Sequence, residues 1–232
     1  MIAPALDRQE LEKRVVDALY SQAPEEAEGL SVMPFGEAGE TSVRYYLYRD
    51  VLGELVKAAH YRRQVAVAIL MGRFCMDQDG PFIEVSAFRD LEYLYDDDED
   101  LVKRLLPMLG DAHQEASEDG DRHLVGVFLS RPGGGAALDE ETARMHLSLF
   151  NMPFQVALII DGVENYLALY RRAPGQPFVN TPFFLVGAAE EAATEQQAQK
   201  MEPDRDRDSE QELDESIEDD DEHKLEQMSY DD

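Results

Sequence analysis

The strongest constraint on the fold is the apolar stretch over residues 65–74, which no regular polar alternation interrupts. A strand of this composition is predicted to be buried on both faces. The turn-forming residues 77–81 follow it, and a second β-rich stretch covers residues 82–88. Because Asp and Gly suit tight turns, the two stretches are predicted to form a β-hairpin.

Further helices and strands are predicted on both sides of this hairpin. Apolar residues recur at helical spacing over residues 7–21, 51–59, 101–116 and 139–150. Strand-like runs cover residues 43–48, 124–130, 155–161, 166–170 and 183–186. Residues 24–40 are predicted to be a linker that contributes at most an edge strand. This order predicts an α/β (α+β) fold in which helices flank a mixed sheet.

The charge of the chain is distributed unevenly. Residues 190–232 hold 19 acidic and 4 basic residues and few large apolar ones. Such a tail cannot bury enough surface to offset its ordering entropy, so it is predicted to be disordered. The sequence therefore predicts an N-terminal helix and linker over residues 1–40, a folded domain over residues 41–189, and an acidic tail over residues 190–232.

The overall balance of charge restricts the partners of the chain. A net charge of −29 repels nucleic-acid phosphates and anionic membranes, and the apolar stretches fall short of the ~20 residues that span a bilayer. The N-terminus lacks the pattern of a signal peptide, so a cytoplasmic location is predicted. Cys75 is the single cysteine, which excludes an internal disulfide and a zinc site built from several thiolates.

The end of the strand over residues 124–130, with the residues that follow, resembles the MPN domain family (JAB/Mov34 type, JAMM-type metalloprotease-like). In that family an apolar strand ends in His-x-His-Pro, and Ser-x-x-Asp begins the next helix. By this resemblance Leu129 and Arg131 occupy the two His positions, Asp139 the Ser position and Thr142 the Asp position.

The hairpin adds to the resemblance. Residues 65–72 are similar to the first core strand of the family, which begins with a catalytic Glu and ends in Gly. The Glu position falls on Val65, or on Gln64 if the register shifts by one residue. The resemblance therefore implies an MPN-like fold whose characteristic polar side chains are replaced.

These replacements remove the chemistry of a hydrolytic zinc site. Leu129 has no donor atom, the permanent charge of Arg131 repels Zn²⁺, and Thr142 is a poor neutral ligand. Val65 cannot take a proton from a nucleophilic water. We therefore predict no catalytic residue, no bound metal, no cofactor and no enzymatic activity.

As a non-catalytic member of such a family, the chain is predicted to be a protein-binding or scaffold subunit. The resemblance implies an assembly for ubiquitin-like conjugation or deconjugation, or another multi-protein assembly. The implied partners are another MPN/JAB protein, a ubiquitin-like or conjugation-system protein, or a second copy of the chain. Two alternatives remain open: a metal-dependent isopeptidase or peptidase with an atypical site, and an acidic-tail chaperone for a basic partner.

Other polar and aromatic residues carry weaker signals. The histidines have no metal-binding spacing, so surface or capping roles are favoured over a displaced metal site near His123 and His146. Asp139 is predicted to cap the N-terminus of its helix. The glycines at positions 133–135 lack the Lys of a phosphate loop, so a flexible turn is predicted. The Tyr residues within residues 45–48 suit a strand better than a ligand platform.

Overall fold

Nine strands and three α-helices form the part of the chain that this computed structural model describes, namely residues 20–37, 42–60, 64–95, 101–173 and 175–189. The strands are β1 (Leu30–Phe35), β2 (Arg44–Tyr48), β3 (Gln64–Asp77), β4 (Gly80–Tyr95), β5 (His123–Ser130), β6 (Val156–Asp161), β7 (Tyr166–Ala173), β8 (Gln176–Asn180) and β9 (Phe183–Ala188). The helices are α1 (Arg49–Ala59), α2 (Leu101–Asp119) and α3 (Glu140–Leu149), and a 3-10 turn covers Pro24–Glu26.

One mixed sheet contains all nine strands, in the order β1-β9-β2-β4-β3-β5-β6-β7-β8. Strands β2 and β9, β2 and β4, and β5 and β6 are parallel, and the other neighbours are antiparallel. The sheet curls into a half-barrel. Its two outermost strands are β1 and β8.

The hairpin of β3 and β4 forms the middle of the sheet. Alternate residues of β3 face two different apolar clusters, one containing Ala66 and Leu70 and the other containing Val67 and Ile69. The prediction that this strand is buried on both faces is confirmed. At Gly72 the pairing with β4 shifts register, and a Cβ there would lie 1.6 Å from the Glu84 carbonyl oxygen. The bulge therefore requires glycine.

The helices cover opposite faces of the sheet. Helix α1 contacts β2, β3, β4, β5, β6 and β9, and its buried residues include Leu55. Helices α2 and α3 pack on the other face, where Leu105 and Met145 join the second cluster. A third, smaller cluster lies under the 3-10 turn and includes Tyr46 and Phe82. None of the helices in the described ranges is long and apolar enough to cross a membrane.

The predicted fold class, an MPN-like sheet flanked by helices, is wrong. Strands contain 47% of the described residues and helices 28%, so the domain is dominated by its curled sheet. The sheet exceeds the prediction because β3 and β4 have 14 and 16 residues and because β1 and β8 add further strands. Register shifts in β3 accompany the curl, since bulges bend strands and increase their twist.

The predicted terminal segments fall mostly outside the described ranges. The acidic tail over residues 190–232 lies outside them entirely, as does the predicted helix over residues 7–21 apart from Tyr20 and Ser21. The Ser21 amide donates a hydrogen bond to the Met76 carbonyl at 3.0 Å, at the far end of β3. The described residues all belong to one compact unit.

Candidate functional site

Leu129 and Val65, the first two motif positions, are part of the core. Leu129 is 2% exposed, and its Cα pairs with that of Val67 across β3 and β5. Val65 is half-buried and packs against the same apolar cluster. Between them, the Ala66 amide donates a hydrogen bond to the Ser130 hydroxyl at 2.7 Å. The structure thus brings these two positions close together, and both contribute apolar surface.

Arg131 stabilises the loop that follows β5. Its backbone amide donates to the Ile160 carbonyl at 2.9 Å, which extends the pairing of β5 with β6. Its guanidinium donates to the Ala137 carbonyl at 2.8 Å and forms an ion pair with Asp139 at 2.7 Å. One side chain therefore joins both ends of the loop over residues 131–139.

Asp139 and Thr142 begin helix α3. The Asp139 carboxylate accepts a hydrogen bond from the Thr142 amide at 2.7 Å, so the predicted N-cap is confirmed. Burial would raise the pKa of Asp139, but hydrogen bonds from Thr142 and the Arg131 charge lower it below its ordinary value. Thr142 is 4% exposed and lies on the buried side of the helix. Of the motif positions, Arg131, Asp139 and Thr142 are thus engaged in local structure.

Asp161 organises the same region, and the sequence analysis missed it. Its fully buried carboxylate accepts hydrogen bonds from the amides of Gly133 at 3.0 Å, Gly135 at 2.7 Å, Val163 at 2.9 Å and Glu164 at 3.2 Å. Burial would raise the pKa of Asp161, but these four amides lower it below its ordinary value. The signal available in the sequence was an acidic residue that ends a buried strand.

The carboxylate of Asp161 therefore holds the glycine-rich loop in place. Gly133 and Gly135 both have φ near +72°, a conformation that favours glycine. Their amides point at Asp161, so they do not form a cradle for phosphate. The loop is a turn, as predicted, but Asp161 and Arg131 restrain it.

His146 is buried rather than exposed, contrary to the role favoured by the sequence. It is 0% exposed and stacks on Phe150 and against the edge of Phe178, with ring centroids 5.1 Å apart in both pairs. Neither ring nitrogen makes a hydrogen bond of normal geometry within the described residues. Burial lowers the pKa of His146 to about 4, helped by the Arg172 charge and opposed by the Val156 backbone.

The structure gives no support to a displaced metal site near His123 and His146. His123 is exposed at the start of β5, whereas His146 is enclosed by aromatic rings. Within the described ranges, no three His, Cys, Asp or Glu side chains come together as metal ligands would.

Of the three tyrosines of β2, Tyr48 is half-buried, and the other two are not available as a ligand platform. Tyr45 and Tyr46 are 1% and 0% exposed, and burial raises the pKa of Tyr45 to about 12. The Tyr46 hydroxyl donates to Glu25, and this contact holds the 3-10 turn against the sheet. Farther along the sheet, Arg172 of β7 donates a hydrogen bond to the Asn151 carbonyl at 3.3 Å.

The outermost strand β1 presents an exposed apolar surface. Met33 is 43% and Phe35 39% exposed, and both point to the face of the sheet that α1 covers farther along. The ring of Phe35 packs against that of Phe183 in a tilted arrangement, with 4.8 Å between ring centroids. Beside it lies an opening of about 350 Å³, which Leu167 and Leu169 also line. We call Met33, Phe35 and this opening the β1 rim.

The backbone of β1 limits how a partner can pair with it. The Ala189 amide donates to the Gly29 carbonyl at 3.0 Å, so by antiparallel alternation Leu30, Val32 and Pro34 direct their backbone groups away from β9. Pro34 has no amide hydrogen to donate. Extended strand addition is therefore interrupted at Pro34, which protects the edge from aggregation.

Comparisons with known proteins identify no family. No family model and no curated protein matches the sequence. Among solved structures, the solution structure of the protein DSY2949 from Desulfitobacterium hafniense is similar at 20% sequence identity and a TM-score of 0.43. The match covers 61% of this chain and 92% of that one. A likeness at this level carries no conclusion about fold or function.

Proposed function

We propose that this chain is a non-catalytic protein-binding subunit that docks its partner on the β1 rim. The observation that carries the proposal is the exposure of Met33 and Phe35 beside an opening whose lining includes Leu167 and Leu169. Large apolar side chains that cluster at the surface mark interaction sites more often than single exposed ones do. The two exposed side chains therefore support a binding role at this surface.

A second consideration supports a binding role over a catalytic one. Leu129 is in the core, Arg131 closes a loop, and Asp139 caps a helix. A hydrolytic site needs polar groups that face a substrate. The side chains at these positions instead make contacts within the fold.

The charge around the β1 rim indicates the chemistry of the partner. Glu28 precedes β1, Glu37 lines the opening, and no Lys or Arg is among the residues described as lining it. Because the whole chain is acidic, a partner with an apolar centre and Lys or Arg at its periphery is complementary. Pro34 favours contacts through side chains over a long added strand.

The test compares matched surface variants of the full-length chain. Met33→Glu places a charge in the β1 rim, and Leu106→Glu places one on the outer side of α2, where Leu106 is 54% exposed. Each variant and the wild type are purified from the native cell at equal amounts, and the mass and stoichiometry of their complexes are measured. We expect a stoichiometric partner, which can be a second copy, to be retained by Leu106→Glu and to lose at least about tenfold in affinity with Met33→Glu.

Two results would refute this proposal. The first is a wild-type chain that stays monomeric and carries no stoichiometric protein at micromolar concentration. The second is a partner that Met33→Glu and Leu106→Glu retain equally. Circular dichroism of both variants checks that the fold is unchanged.

A further inference from the structure

A second opening lies at the start of β5, and its lining residues differ in chemistry from those of the β1 rim. It has a volume of about 400 Å³, which falls in the size range of small-molecule sites. It lies between the C-terminal end of α2, the start of β5 and the segment before β6. His113, Arg122 and His123 supply its polar side, and Leu124, Met152 and Phe154 supply apolar surface.

The chain is acidic, whereas the described lining of this opening contains a basic residue and no acidic one. The protein has 50 acidic and 21 basic residues, yet no Asp or Glu is among the residues that line this opening. Its polar lining residues instead include one arginine and two histidines. Arg presents five N–H donors in a planar fork that matches carboxylate and phosphate groups, so it can hold an anion while keeping other contacts.

The wall of the opening is fixed before any ligand arrives. Gln155 is 8% exposed, and its side-chain amide donates to the Leu124 carbonyl at 2.9 Å. Its carbonyl oxygen accepts from the Met152 amide at 3.0 Å. These two hydrogen bonds hold the segment that carries Met152 and Phe154 against the start of β5. Such preorganisation lowers the entropic cost of binding.

We propose that this opening binds a small organic anion, namely a carboxylate or phosphate attached to an apolar or aromatic body. Arg122 and His123 contact the anionic group, and Leu124, Met152 and Phe154 contact the body. His113 closes the polar side from α2. This site is separate from the β1 rim, and the inference does not depend on the proposed protein-binding function.

The experiment is a titration of the full-length chain followed by two-dimensional amide NMR at physiological salt, where remote surface charges are screened. The probes are phenyl phosphate, inorganic phosphate and benzyl alcohol, which separate the amphiphilic anion from its two parts. We expect saturable shifts at Gly120, His123, Leu124 and Phe154 with phenyl phosphate. Each part alone is expected to bind at least about tenfold more weakly.

Matched variants assign the shifts to the opening. Arg122→Gln and His123→Gln are each expected to weaken phenyl phosphate binding about five- to tenfold. Arg144→Gln, on the exposed side of α3, and His60→Gln, at the end of α1, are expected to leave it unchanged. Shifts that do not saturate, that spread over the surface, or that survive Arg122→Gln with unchanged affinity would overturn the proposal. The amide spectra also report whether each variant is folded.

Discussion

Replacement of Asp161 by Ala is the most informative perturbation of the loop between β5 and α3. The change removes the acceptor of four amide hydrogen bonds. Gly133 and Glu164 are exposed, so water can replace the carboxylate there, whereas Gly135 and Val163 are half-buried. Hydrogen bonds to charged groups contribute about 1.5–3 kcal/mol each, so the two half-buried amides set an expected loss of about 3–6 kcal/mol.

Urea unfolding of the wild type, Asp161→Ala and Asp161→Asn measures this loss. Asn keeps one acceptor oxygen without the charge, so about half of the full effect is expected. Asp111→Ala, on the exposed side of α2, is the control and should change stability by less than about 0.5 kcal/mol. Amide exchange at Gly133 and Gly135 should accelerate in Asp161→Ala and stay slow in the control.

The dependence on pH provides an independent check. The pKa of Asp161 is lowered in the folded state, so its stabilisation is complete above the ordinary carboxyl pKa of about 4. It is lost as the pH falls through the lower folded value, because the unfolded chain takes up the proton first. The difference between wild type and Asp161→Ala should therefore shrink in acid. A loss of less than about 1 kcal/mol at neutral pH would refute the assigned role of Asp161.

Three further predictions concern other residues. Because the pKa of His146 is lowered to about 4, the free energy of unfolding of the wild type should fall by up to about 3 kcal/mol between about pH 6.5 and pH 4. Urea unfolding of His146→Leu should not show this dependence on pH. Gly72→Ala should cost more than about 3 kcal/mol or prevent folding, because its Cβ would meet the Glu84 carbonyl; soluble, cooperatively unfolding protein of wild-type stability would contradict this. Asp139→Ala should cost about 1 kcal/mol in thermal unfolding through loss of the helix cap, and an unchanged melting temperature would contradict it.

Local elements of the fold follow from the sequence because their signals are local. The turn residues between β3 and β4, the apolar spacing of α1 and the Asp139 cap each identify an element within a few positions. The length of β3 and β4 does not follow from the sequence. The part of β4 beyond residue 88 carries Arg89 and Glu92, which form ion pairs with Glu115 and Arg104 of helix α2 at 2.5 and 3.7 Å. A strand end whose polar side chains pair with a helix has no continuous apolar signal.

The global arrangement depends on contacts that the sequence does not display. The bulge at Gly72 becomes visible only through the close approach of Glu84, and such a bulge bends its strand locally. For the same reason a resemblance of spacing around Leu129 and Arg131 did not determine the fold class. The resemblance identified positions that lie close together, but the sheet determines which residues surround them.

The candidate site was only partly predictable. The absence of ligand chemistry at Leu129 follows from its side chain alone, whereas the role of Arg131 requires knowing that Ala137 and Asp139 lie within its reach. Asp161 is distant in sequence from Gly133 and Gly135, so its hydrogen bonds depend on the pairing of β5 with β6.

Site-specific photo-crosslinking tests the proposed docking surface most directly. A photoreactive residue replaces Met33 in one full-length chain and Leu106 in another, and both are irradiated in the native cell. We expect the chain labelled at position 33 to form one dominant protein crosslink that Phe35→Glu removes, and the chain labelled at position 106 to form none of comparable yield. Equal crosslinking at both positions, or none at position 33, would contradict a binding function at the β1 rim.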